Sequence, residues 1–193
     1  MKYTLGIFSF LLLVVLALAG QDYFNIVQIS AVPSKKETKI QKHYQSQYTS
    51  QSFKTIDGKT INLPEEKKPI VIVNFWASWC KPCVKEFADL NTLVSKYKDE
   101  ILILGVNTDD EDQEKLIKKM KKKHKLSFPI VADKKSKLVD DFIVDSIPFS
   151  VIYLNGKLHK YHVGIQDFVS GEFLELFDEA IAKNSSDKLP SKK

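Results

Sequence analysis

Cys80 and Cys83 are the only thiols in a chain of 193 residues, and just Lys81 and Pro82 lie between them. A pair so spaced is a redox couple or half of a metal site. Disulfide exchange needs a thiolate as the attacking group, and an ordinary Cys thiol is mostly protonated near neutral pH. The free N–H groups and partial positive charge of a helix N-terminus favour the thiolate. Pro82 suits the first helical turn, where its missing N–H is not needed. Cys80 therefore stands at such a terminus, with Lys81 adding a cation beside it. Cys83 follows by nearly one turn, so its sulfur reaches Cys80. In this arrangement Cys80 attacks a partner's disulfide and Cys83 resolves the mixed disulfide. Trp76 and Trp79 flank the pair with apolar bulk able to pack on a bound peptide. Glu86 lies three residues beyond Cys83. It is either the acid/base that takes the proton Cys83 gives up, or a surface carboxylate in an early helical turn.

The metal alternative would complete a site with His159 and His162. Both fall on an expected strand, where residues three apart point to opposite faces. They do not converge there, and no metal is expected. His43 and His124 read as solvated.

The elements that must position the cysteines are legible as hydrophobic patterns. Ile70 to Phe75 is a continuous apolar, β-branched run, which predicts a strand buried on both faces. Phe87, Leu90, Leu93, Val94 and Tyr97 recur at helical spacing behind the cysteines. Ile101 to Val106 predicts a second buried strand. Asp109 to Glu114 opens a further helix, with Leu116, Ile117 and Met120 as its apolar stripe. Lys118 to Lys125 is its basic face, a solvated surface or a contact for anionic lipid or an acidic partner. Phe128 to Ala132 predicts a short strand and Ser136 to Phe142 a short helix. Phe149 to Leu154, the Asn155-Gly156 turn and Lys157 to Val163 predict a hairpin, and Val169 to Ala182 a closing helix. Ahead of all these, Ser52 to Leu63 reads as a hairpin turning at Asp57-Gly58. Alternating strands and helices followed by a hairpin and helix imply an α/β fold, a mixed central sheet flanked by helices.

Composition bounds the rest. All 29 basic residues are Lys and the net charge is +5. Arg, the residue suited to bidentate phosphate and base contacts, is absent, and no nucleic-acid motif accompanies the charge. Nucleic acid is not an expected partner. Lys2 and the apolar run Leu5 to Ala19, ending Ala17-Leu18-Ala19, form an export signal or an uncut membrane anchor over residues 1–19. Residues 20–51 read as a polar linker with little periodicity, 52–183 as the folded domain and 184–193 as a disordered tail. The body of the chain is expected outside the cytoplasm.

The segment Val73-Asn74-Phe75-Trp76-Ala77-Ser78-Trp79-Cys80-Lys81-Pro82-Cys83 resembles the active site of thioredoxin-fold proteins. It is most similar to the TlpA/ResA-like branch of exported, often membrane-tethered members. Asn74 fits that branch, where cytoplasmic thioredoxins carry a buried Asp, and so does Glu86. Ile147-Pro148 matches the family's cis-proline loop, and Ile147 then offers its backbone to the substrate peptide. The likeness covers about Ser52 to Ala182. Two positions depart from it: Ala88 stands where the family often has Pro, and Phe149 where Thr is common after the cis-proline.

The resemblance implies the thioredoxin fold with an N-terminal β-hairpin extension, Cys80, Cys83 and Glu86 as catalytic residues, and Trp79, Ile147 and Pro148 as substrate contacts. It implies no cofactor. It implies protein disulfides as substrates, among them apocytochromes c awaiting haem in cytochrome c maturation. The resemblance further implies a membrane electron donor of the DsbD/CcdA type that recharges the pair, and a periplasmic location. Two rival readings are an oxidant that installs disulfides and a peptide-holding module without redox chemistry.

Overall fold

The computed structural model describes residues 35–188. Residues up to Gln41 form one unit and those from Lys42 another, and the packing below concerns the second. Its centre is β3 (Ile70–Trp76), with every residue buried. β3 pairs in parallel with β4 (Ile101–Asn107) and antiparallel with β6 (Phe149–Leu154). β5 (Ile130–Ala132) extends the sheet beyond β4, and β7 (Lys157–Val163) beyond β6, giving the order β5-β4-β3-β6-β7. A central strand in such a sheet has both faces covered, which is why β3 reads as an unbroken apolar run.

The two faces are covered differently. Ile70, Ile72 and Trp76 pack with Phe87 and Leu90 of α3 (Lys81–Tyr97) and Phe173 and Phe177 of α6 (Gly171–Lys188). On the other face Phe75 meets Phe142 and Phe149, with ring centroids 5.3 and 5.9 Å away. α4 (Gln113–His124) connects β4 to β5, burying Ile117 and Met120, and the short α5 (Lys137–Asp141) follows β5. Gly105 of β4 is a close-packing position. A Cβ there would lie 2.8 Å from the Phe128 ring and 3.0 Å from the Trp76 indole nitrogen, so only a residue without one lets those two rings meet the strand.

The expected N-terminal hairpin is present as β1 (Ser52–Lys54) and β2 (Thr60–Asn62), antiparallel and turning through Gly58 at φ +84°. Thr55 bridges it to Val131 of β5. The one-turn α2 (Leu63–Glu66) follows. The chain therefore has the mixed sheet, flanking helices and hairpin extension of the thioredoxin fold.

Three expectations change. The polar stretch read as a linker carries a helix, α1 (Lys35–Ser50). From Lys42 onward it packs through Tyr44 and Tyr48, spaced one turn apart and buried. Tyr44 rests on Tyr161 and Tyr48 on Tyr153, at 4.8 and 5.0 Å between centroids, and Gln45 donates to the Gly156 carbonyl. The tail does not begin at residue 184. α6 continues to Lys188, with the Ser185 hydroxyl bonded back to the Ile181 carbonyl. Finally, α4 starts at Gln113 rather than at Asp109, which has another task. The apolar segment Leu5 to Ala19 and residues 189–193 lie outside the described residues. Among the described residues no helix is long and apolar enough to cross a membrane.

Candidate active site

β3 ends at Trp76, and Ala77 to Trp79 turn the chain into α3. Cys80 is the N-cap of that helix and Pro82 sits in its first turn. The Cys80 sulfur accepts the Cys83 backbone N–H at 3.2 Å. A negative charge developing on this atom thus meets a donated hydrogen bond and the positive end of the helix dipole. The two cysteines are joined, S–S 2.03 Å, so the pair is in its oxidised form. Cys83 is fully buried whereas Cys80 keeps 4% exposure. Cys80 is therefore the sulfur a large partner can touch first.

Trp79, directly before Cys80, is 70% exposed. An indole held out in water beside the disulfide takes no part in the core and is open to contact. The Ile147–Pro148 bond is cis. Pro148 is buried and its carbonyl accepts the Gly164 N–H at 2.8 Å. Ile147 packs against the apolar cluster that includes both cysteines. The structure thus brings Trp79, Cys80, Cys83 and Ile147 to one end of the sheet, at the carboxyl end of β3.

Glu86 is not a surface carboxylate. It is one turn beyond Cys83 and only 1% exposed. Its Oε2 accepts the Asn74 side-chain amide at 3.1 Å and its Oε1 accepts the Gln166 backbone N–H at 2.7 Å. Burial pushes its carboxyl up to about 7, against the lowering effect of these two bonds. Asn74 also donates to Ser150 at 2.9 Å, and its own carbonyl oxygen has no partner among the described residues. Rotating that amide would let Asn74 accept a hydrogen bond from the protonated Glu86 carboxyl, as it now donates one to the carboxylate. The site holds a carboxyl group poised to gain or lose a proton near neutral pH.

A second buried carboxylate, Asp109, stands where the sequence predicts only a helix start. Asp109 is 3% exposed. It accepts the Ser78 N–H at 3.1 Å, the Ser78 hydroxyl at 3.0 Å and the Asn107 amide at 2.7 Å. It thereby pins the turn that leads to Cys80. The signal for it is only an acidic residue just after a buried strand, which also fits a helix start. Asp109→Ala strands the Ser78 and Asn107 donors in a buried setting, and urea unfolding should show a loss of about 2–3 kcal/mol. Asp109→Asn keeps one acceptor and should lose less than half of that.

The histidines differ from their expected settings. His43 bonds the Asp141 carbonyl at 2.8 Å. His124 packs edge-on to Phe87 at 5.6 Å, and burial holds its imidazole below the usual value. On β7 the register shifts between Ile152 and Tyr153, so Leu158 and Lys160 pair with neighbouring residues and His159 is the extra residue of a bulge. Simple alternation does not run from His159 to His162, and that reason for keeping them apart fails. Among the described residues no cluster of three or more His, Cys, Asp or Glu is arranged to hold a metal ion.

Comparison with known proteins places this geometry. The model of the AhpC/TSA family matches residues 25–155. The thioredoxin-like protein YneN of Bacillus subtilis is 34% identical over 154 residues, covering 79% of this chain and 87% of that one. The thiol-disulfide oxidoreductase ResA of Bacillus cereus is 35% identical over 113 residues, 58% of this chain and 64% of its own length. The crystal structure of StoA from Bacillus subtilis superposes with a TM-score of 0.54 at 29% identity, covering 66% of this chain and 95% of that one.

Proposed function

The chain belongs to the AhpC/TSA family of thioredoxin-like proteins and is a thiol–disulfide oxidoreductase, and from that premise we propose that it reduces disulfides of exported proteins outside the cytoplasm through Cys80 and Cys83. The observation that carries this reading is the asymmetry of the pair. Cys80 caps α3 beside the exposed Trp79 and keeps 4% exposure, while Cys83 is fully buried one turn before Glu86.

The exchange runs in two steps. The Cys80 thiolate attacks one sulfur of the target disulfide, forming a mixed disulfide and releasing the other target sulfur as a thiolate, which takes up a proton. Cys83 then loses its proton to the Glu86 carboxylate, directly or through water, and attacks the Cys80 sulfur. The second target thiol leaves with that proton. The pair ends as the disulfide seen here and the target as a dithiol, two electrons richer. A donor dithiol must return those electrons, and a membrane carrier of the DsbD/CcdA type supplies them. Trp79, Ile147 and Pro148 hold the substrate segment across the sulfurs. Phe149, where Thr is common in the family, is buried against Tyr44 and Phe75, so it acts by packing under the cis-proline loop.

The export segment at residues 1–19 delivers the domain to the periplasmic side, released or tethered, and apocytochromes c are among its targets. The opposite direction of flow, disulfide formation, draws on the same helix terminus, because stabilising the Cys80 thiolate favours the reduced pair. The reduction potential measured against glutathione separates the two. A value near that of thioredoxin, about −270 mV, fits a reductant, and one near about −120 mV would overturn this direction.

A further inference from the structure

On the Cys80 flank formed by α3 and α4, a groove of about 360 Å³ opens between the two helices. Its apolar lining is Trp79, Val84, Leu116 and Met120. Lys81, Lys119 and Lys123 also line it. None of these three cations is paired with a carboxylate among the described residues. The paired lysines of α4 are instead Lys115, with Asp112, and Lys121, with Asp57. Lys118 and Lys122 are likewise exposed and without such a pair among the described residues. A concave apolar floor with an uncompensated cationic rim fits an occupant with the opposite pattern.

We propose that this groove binds an acidic, extended segment of the disulfide-bearing partner, next to its target bond. The inference rests on the disulfide-exchange reading and adds the substrate class. Three features favour a peptide over a lipid surface. The site is a groove rather than a flat face. It runs up to Ser78 and Lys81, the residues around Cys80, so its occupant continues from the bond being exchanged. Lys119 and Lys123 stand one turn apart on α4, about 6 Å along the axis. Alternate side chains of an extended strand recur every ~6.6 Å, so two carboxylates at alternate positions meet both cations. Glu86 and the cis-proline loop are not among the residues that line this groove.

The test compares kcat/KM for two short disulfide peptides, one flanked by alternating Glu and Leu and one by alternating Lys and Leu. A neutral control, bis(2-hydroxyethyl) disulfide, reports on the sulfurs alone. At low salt the acidic peptide should be favoured roughly tenfold, the size two exposed ion pairs supply together, and rising salt should erase the preference. The double variant K119E/K123E should invert the preference with the control rate unchanged. Equal rates for the two peptides would overturn the proposal. So would a preference that survives in the variant, or an equal slowing of all three substrates, which would mean that the lysines act on the Cys80 sulfur itself. Vesicles of phosphatidylglycerol that bind the wild type but not the variant, with peptide preference unmoved, would assign the lysines to lipid instead. If even the neutral disulfide is not reduced, the exchange reading fails. Calorimetric binding of the acidic peptide, made without cysteine, to the oxidised protein then decides the groove by the same charge reversal.

Discussion

Cys80→Ser is expected to lower the rate of insulin disulfide reduction by at least roughly a thousandfold, the loss of a covalent nucleophile. The fold should persist, because the hydroxyl can still cap α3 and the site it fills is almost the same size. The expectation follows from the burial of the pair. Cys83 has no exposed surface, so it cannot take over the attack on a protein disulfide once Cys80 is gone. A serine hydroxyl at the same N-cap gains the same hydrogen bond from Cys83 but does not ionise near neutral pH. The assay with dithiothreitol as electron source reads the loss directly. The peptide-holding alternative makes the opposite prediction, that a variant lacking both cysteines keeps its biological role.

Glu86→Gln should slow the resolving step by roughly a hundredfold, the scale of one positioned acid/base, while leaving formation of the mixed disulfide nearly untouched. Single-turnover kinetics separate the two steps. The rate of the wild type should change with pH around neutrality, where this carboxyl titrates, and the variant should lose that dependence. Stability gives a second readout with a definite sign. The Glu86 carboxyl is raised from 4.5 to about 7 on folding, so the folded chain binds its proton more tightly than the unfolded one. That stabilisation is complete below pH 4.5 and is lost as the pH rises through 7. A Gln at this position stays neutral throughout. Its carbonyl can accept the Gln166 N–H, and a rotated Asn74 amide can accept its N–H. Above pH 7 the variant should therefore be more stable than the wild type by about 1–3 kcal/mol, and below pH 4.5 the gain should vanish. Chemical denaturation at two pH values checks this.

Much of the framework around the sulfurs could be read from the chain itself. β3, β6 and β7 follow runs whose period and turn residues have one strong interpretation, and Cys80 sits where a buried run meets a helical one. Local pattern carried that far because each of these elements is decided by its own side chains. What stayed hidden depends on partners distant in sequence. Asp109 looks like a helix opener until the fold brings Ser78, 31 residues away, against it. Spacing alone leaves Glu86 open between a buried acid/base and a surface carboxylate, and its enclosure comes from the Gln166 backbone, 80 residues on, and from Asn74. α1 was missed because its stripe is built from Tyr44, Gln47 and Tyr48, amphipathic residues that score as polar, and its buried face exists only once β6 and β7 are in place. The bulge at His159 has no local mark, since the adjoining residues would fit a regular strand equally well.

The exchange chemistry turns on which sulfur makes the first bond. Reduced Cys83→Ser protein can be mixed with an oxidised peptide, quenched in acid and mapped by mass spectrometry. The expected result is a stable covalent adduct in which the peptide is joined to Cys80, accumulating to one per chain because the resolving thiol is gone. Unmodified Cys80 after prolonged exposure to the oxidised peptide would contradict the account.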